Sequence, residues 1–147
     1  MKTVLLVEDS ANDIELALEA LGEESFADDV IVLNDGQQAL DFLHRAGPHT
    51  GRDPGDPILI VLDLKLPRID GLEVLRRVKS DPRLKHIPIV MLTSSREESD
   101  LRVSYGLGAN AYVVKPVGFE EYAQALRILG SFWTAINQPP PDLAPSK

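Results

Sequence analysis

The chain contains no cysteine. That excludes a disulfide framework, a thiolate zinc site and a cysteine nucleophile, and it fits a reducing compartment such as the cytoplasm. No apolar run approaches the roughly 20 residues of a membrane span. The amino terminus, MKTVLLVEDS, reaches Glu8 and Asp9 too early to form a signal-peptide core. Positive charge is scarce: 15 Lys and Arg stand against 23 Asp and Glu, a net charge of -8, which argues against partners that present nucleic acid phosphate or anionic lipid. Arg76, Arg77 and Lys79 do cluster, but they alternate with Leu72, Val74, Leu75 and Val78 and read as the solvated face of an amphipathic helix. With 147 residues the chain can bury a core as one domain without covalent staples.

Apolar runs of strand length recur at Val4–Val7, Val30–Leu33, Ile58–Leu62, Ile87–Leu92 and Ala111–Val114. Helical spacing fills the intervals: Ile14, Leu18 and Leu21; Ala39, Leu40 and Leu43; Leu72, Leu75 and Val78; Leu101 and Tyr105; and Phe119 onward to Ile136. Strict alternation of strand and helix implies parallel pairing through right-handed crossovers. Strands that are apolar at consecutive positions need both faces covered. The expected architecture is a three-layer α/β/α sandwich. Two stretches stand outside it: the Gly/Pro-rich connection Gly47–Pro57, read as a long, mobile insertion, and Gln138–Ser146, a proline-rich segment that cannot be helical and reads as an extended or disordered tail. His44, His49 and His86 have no metal-ligand spacing and read as surface residues.

In open parallel sheets, ligands bind beyond the carboxyl ends of the strands. Here the first strand ends in Glu8, Asp9 and Ser10, the second in Asn34 and Asp35, and the third in Asp63. The fourth ends in Thr93, Ser94 and Ser95, the fifth in Lys115 and Pro116. Singly, several of these are explained as helix caps. Jointly, they bring carboxylates, a hydroxyl and an ammonium to one rim. Clustered carboxylates raise one another's pKa unless a cation neutralises them, and a hard, oxygen-seeking ion such as Mg²⁺ meets that need with few protein ligands. A carboxylate on a rigid strand end can also attack phosphorus while the metal, Lys115 and Thr93 stabilise the transferring oxygens. Asp63 is therefore the candidate phosphoryl acceptor.

These positions, Glu8 and Asp9, Asp63 with Pro67 and Gly71, Thr93 with Ser94, and Lys115 with Pro116, together resemble the receiver domain of two-component response regulators over residues 3 to about 136. The resemblance implies a flavodoxin-like fold with strand order 2-1-3-4-5. It implies Mg²⁺ held by Glu8, Asp9, Asp63 and the backbone carbonyl of Lys65, and phosphorylation of Asp63 by a sensor histidine kinase. Thr93, Ser94 and Lys115 would contact the phosphoryl group, Thr93 and Tyr112 would form a switch pair, and the bond before Pro116 would be cis. The segments VEDSANDIEL and DLKLPRIDG, with the insertion before the third strand, are similar to stand-alone regulators that partner bacterial and cyanobacterial phytochrome kinases. A pseudo-receiver, binding partners without phosphorylation, is the alternative. A metal-dependent phosphatase is disfavoured by Lys65 where that family has a second acid, and a flavodoxin by the anions of EDSAND where flavin phosphate would sit.

The receiver is expected to span 1–137 with a tail over 138–147, so that phosphorylation is read by another protein or by self-association. Phe119, Tyr122, Leu126, Leu129, Trp133 and Ile136 make one apolar stripe on the last helix; Ala125, Ile128 and Phe132 make a second. Two stripes predict a homodimer through this helix, with Phe119, Tyr122, Phe132 and Trp133 in the interface.

Overall fold

The structure, a computed structural model, describes residues 2–23, 29–52 and 55–141. Its strands are β1 (Thr3–Val7), β2 (Asp29–Leu33), β3 (Leu59–Leu62), β4 (Ile89–Thr93) and β5 (Ala111–Val114), and its helices are α1 (Ala11–Glu23), α2 (Gly36–His44), α3 (Gly71–Lys79), α4 (Glu98–Gly106) and α5 (Phe119–Ser131). All pairings are parallel, in the order β2-β1-β3-β4-β5 expected from the sequence. The fourth strand begins two residues later than its apolar run, because Pro88 has no N–H to donate to the ladder. The carbonyl of Pro88 still accepts from Ile60 N at 2.9 Å.

Alternate residues of the central strands feed two cores, as a period of two requires. Leu5, Val7, Ile60, Leu62, Ile89 and Met91 meet Leu40 and Leu43 of α2 and Val74, Leu75 and Val78 of α3. On the opposite face Val4, Leu6, Leu59, Val61, Val90 and Leu92 meet Ala17, Ala20 and Leu21 of α1 and Tyr122 and Leu126 of α5. The middle strands β3 and β4 are buried at every position, whereas the edge strand β5 is only half-buried.

Helix starts place the loops that carry the site. Ser10 Oγ accepts from Asp13 N at 3.3 Å ahead of α1, Asp35 Oδ1 from Gln38 N at 2.8 Å at the start of α2, and Asp70 Oδ1 from Glu73 N at 3.0 Å at the start of α3. For Ser10 and Asp35 the plain helix-cap reading therefore holds. Two glycines close the turn after β3: a Cβ on Gly71 would fall 2.0 Å from the Asp63 carbonyl oxygen, and one on Gly36 would fall 1.9 Å from that of Ile69.

Several expectations are corrected. The Lys115–Pro116 bond is trans, as is every peptide bond among the described residues. The trans form is the intrinsically favoured isomer, and Lys115 reaches its carboxylate partners with the bond in that form. The insertion is anchored over its described part. Arg52 donates from Nε to Phe42 O at 2.7 Å and from Nη1 to Gly55 O at 3.0 Å, and it lies 4.1 Å over the Phe42 ring. His86 is not a surface residue: it is 16% exposed and pairs through Nε2 with Asp56 at 3.3 Å. The α5 helix ends in a π-helical turn at Phe132–Ile136, which breaks the regular stripe. Of the proline-rich tail, residues 138–141 form no regular element, and 142–147 lie outside the described residues.

Candidate functional site

Each chemically interesting side chain sits where an apolar strand stops. Glu8 follows β1, and its N–H donates to Leu33 O at 3.0 Å; Asp63 follows β3, and its N–H donates to Val7 O at 3.1 Å. The sheet ladder thus sets the two acids side by side with backbone precision. Lys115 follows β5 and donates its backbone N–H to Thr93 O at 2.7 Å, which fixes it beside the end of β4.

The Lys115 ammonium reaches across the sheet. Its Nζ lies 2.8 Å from Glu8 Oε1, 2.8 Å from Asp13 Oδ2 and 3.1 Å from Asp63 Oδ2, so each of its three N–H donors has a carboxylate. Burial works against the charged lysine, but the hydrogen bonds to Asp13 and Glu8 and the charge of Asp63 outweigh it and hold its pKa above the ordinary lysine value. Glu8 is 1% exposed. Burial pushes its carboxyl up to about 7, with the Asp63 charge adding to the rise and Lys115 and the Ser10 N–H opposing it. The second oxygen of Asp63, Oδ1, accepts from Leu64 N at 2.7 Å.

Glu8, Asp9 and Asp63 each offer a carboxylate oxygen, and these oxygens lie within 4.8 Å of one another. An oxygen-only donor set in which Glu8 and Asp63 are buried and Asp9 is exposed fits a hard divalent cation that keeps some of its water. Thr93 is buried beside this cluster, its Oγ1 accepting from Ser95 N at 3.3 Å; Ser94 is exposed at the rim. Tyr112 is half-buried and donates its hydroxyl to Ser95 O at 3.0 Å. The structure therefore brings Glu8, Asp9, Asp63, Thr93 and Lys115 together, with Tyr112 one loop away.

Two residues take part in this site in ways that the sequence does not signal. Asp13 lies in the first turn of α1, where an acid is ordinary because it complements the helix dipole; the anionic run EDSAND marks the acid but not its contact with Lys115. Ser95 ties the β4–α4 loop together, its N–H on Thr93, its carbonyl on Tyr112 and its hydroxyl on Asp100 Oδ2 at 2.6 Å. On α5, Phe119 and Phe132 are exposed as expected, but Tyr122 is 3% exposed and belongs to the core. Trp133 is half-buried against that same core, edge-on to Phe132.

Residues 4–127 match the family model of the response regulator receiver domain. Response regulator Rcp1 of Synechocystis sp. is 40% identical over 132 residues, covering 90% of this chain and 88% of that protein. The crystal structure of its Mn(2+)-bound form superposes with a TM-score of 0.89 at 38% identity over 95% of this chain and 99% of that one. The phosphorylated cyanobacterial phytochrome response regulator RcpA gives a TM-score of 0.90 at 38% identity, covering 95% and 98% of the two chains. The bacteriophytochrome response regulator RtBRR gives 0.77 at 54% identity over 96% and 85%. With a family model over most of its length, relatives of this identity and the sheet order β2-β1-β3-β4-β5, the chain belongs to the response regulator receiver domain family.

Proposed function

We propose that Asp63 accepts a phosphoryl group from a sensor histidine kinase, in a reaction that requires Mg²⁺, and that the phosphorylated protein signals to a partner. The observation that carries this reading is the gathering of Glu8, Asp9 and Asp63 around one point with Lys115 across it. Glu8, Asp9, Asp63 and the backbone carbonyl of Lys65 would hold the metal, whose charge would offset the negative charge of the transferring group. Asp63 supplies the nucleophilic oxygen, placed by its bond to Leu64 N. Lys115 offers N–H donors to the phosphoryl oxygens, with Thr93 and Ser94 beside it. Movement of the Thr93 hydroxyl toward the new group would pull on Ser95, and through it on Tyr112 and Asp100, which makes the β4–α4 loop the first part to respond.

RcpA is a cyanobacterial phytochrome response regulator and RtBRR a bacteriophytochrome response regulator, and a kinase of that class is our first choice as the phosphodonor. Incubation with acetyl phosphate and Mg²⁺ is expected to add one phosphoryl group to the intact protein by mass spectrometry, and none to Asp63→Asn or in excess chelator. An adduct on Asp63→Asn would refute the assignment.

The same reading includes a homodimer built on α5. Val117, Phe119, Ile128, Phe132 and Ile136 are 101%, 68%, 58%, 43% and 66% exposed, an apolar surface of the kind that marks association. The proposed interface differs from the sequence expectation: Tyr122 faces the core and Trp133 is half-buried against it, while Ile128 is exposed. Light scattering at micromolar concentration should return twice the chain mass, and Ile128→Glu with Phe132→Glu should return the monomer. A monomeric parent, with or without phosphodonor, would reject the dimer.

A further inference from the structure

The hydrogen-bond capacity of Lys115 poses a problem. All three of its N–H donors are engaged, by Glu8, Asp13 and Asp63. A phosphoryl oxygen on Asp63 needs a donor of its own, so a carboxylate must let go. Glu8 and Asp63 are fixed at strand ends and are 1% and 8% exposed. Asp13 is different: its side chain is 25% exposed, on the first turn of α1, and it borders a cavity of about 230 Å³ that Asn12, Ser94, Lys115 and Tyr122 also line.

Tyr122 supplies the second observation. Its ring is 3% exposed within the core shared by α1 and α5, yet its hydroxyl is buried and makes no hydrogen bond to any described residue. Buried hydroxyls in native folds are nearly always paired, and an unpaired one calls for an explanation. Tyr122 is among the residues lining the cavity that Asp13 borders. Burial holds its pKa up, and among the charges around it that of Asp13 acts most strongly.

We propose that Asp13 is a displaceable counter-ion of Lys115, and that the Tyr122 hydroxyl is the donor that receives the Asp13 carboxylate when Lys115 turns to a phosphoryl oxygen. Both are positioning residues for the phosphoryl-bound state. Tyr122 compensates Asp13 for the lost ammonium, and its own hydroxyl gains a partner. The inference rests on the acceptor reading above.

The test is a calorimetric titration of beryllium fluoride, a phosphoryl mimic, into full-length protein in saturating Mg²⁺. The parent, Tyr122→Phe, Asp13→Ala and the double variant are compared. Tyr122→Phe is expected to weaken binding about fivefold, of the order of one hydrogen bond. Asp13→Ala is not expected to weaken it, because the competitor for Lys115 is gone. In the Asp13→Ala background Tyr122→Phe is expected to have no effect. Equal weakening by Tyr122→Phe in both backgrounds, no weakening in the parent, or weakening by Asp13→Ala overturns the proposal. A second readout is independent of the mimic. In metal-free protein Tyr122→Phe should leave the unfolding midpoint unchanged or raise it, since it removes an unpaired buried hydroxyl; a lowered midpoint also overturns the proposal. A parent that takes up no beryllium fluoride defeats the acceptor reading itself and this inference with it, whereas binding by the parent without the coupling defeats the inference alone.

Discussion

Lys115→Met should cost about 3 kcal/mol of stability at pH 8, the order expected when one partner of a buried ion pair is removed. The lysine side chain is 12% exposed and is shared by Glu8, Asp13 and Asp63. Without it, these acids and Asp9 repel across the ends of β1 and β3. The loss should depend on pH in a defined direction. Glu8 has a folded pKa of about 7, above the ordinary value of 4.5. The folded state therefore holds a proton that the unfolded chain has already released. The stability this contributes is complete below pH 4.5 and is lost as pH rises through about 7. Removing the lysine raises the Glu8 pKa further, so the decline should extend above pH 7 in the variant while the parent has levelled off. Urea unfolding at pH 6 and pH 8 checks this. A variant as stable as the parent at pH 8 would mean that the ammonium does not neutralise the cluster. Added Mg²⁺ should stabilise the parent more at pH 8 than at pH 6, because Glu8, as a proposed metal ligand, would have to give up its proton.

Gly71→Ala should be comparably severe for a different reason. The new methyl would lie 2.0 Å from the Asp63 carbonyl oxygen and 2.9 Å from Leu64 Cα. Both are backbone atoms of the turn that carries Asp63, so no side chain can move aside. The turn must open, at a cost of about 3 kcal/mol, the upper end for overpacking, and Asp63 must shift relative to Glu8. Gly22→Ala is the control: it lies in α1 with nothing within 4 Å of the added methyl, and it should stabilise by about 0.5 kcal/mol. Denaturant midpoints for the two variants should move in opposite directions. If Gly71→Ala costs no more than a few tenths of a kcal/mol, the turn is not held as described.

The sheet and its strand ends were legible because both follow from local rules. Consecutive β-branched and leucine residues mark buried parallel strands, and polar residues at their carboxyl ends mark a rim where ligands bind. Asp13 was not legible, because its role is set by a contact with Lys115, 102 residues away. Tyr122 was misplaced because a two-stripe helix does not say which stripe meets the sheet. The end of α5 departed from its period because the π-helical turn rotates the residues after Ser131. Thr134 is turned inward, 3% exposed, where its hydroxyl bonds Gly130 O, while Ile136 is turned out. The burial of His86 and the anchoring of the Gly47–Pro57 insertion were not legible because the pairs that produce them, His86 with Asp56 and Arg52 with the Phe42 ring, come together only through tertiary packing.

Asp63, and no neighbouring acid, is proposed to carry the phosphoryl group. Borohydride reduction of the protein after treatment with acetyl phosphate and Mg²⁺ converts an aspartyl phosphate to homoserine, and peptide mass mapping then locates it. Homoserine is expected at position 63 alone, and none without Mg²⁺. Homoserine at position 9 or 13, or a modified Asp63 in metal-free protein, would contradict it.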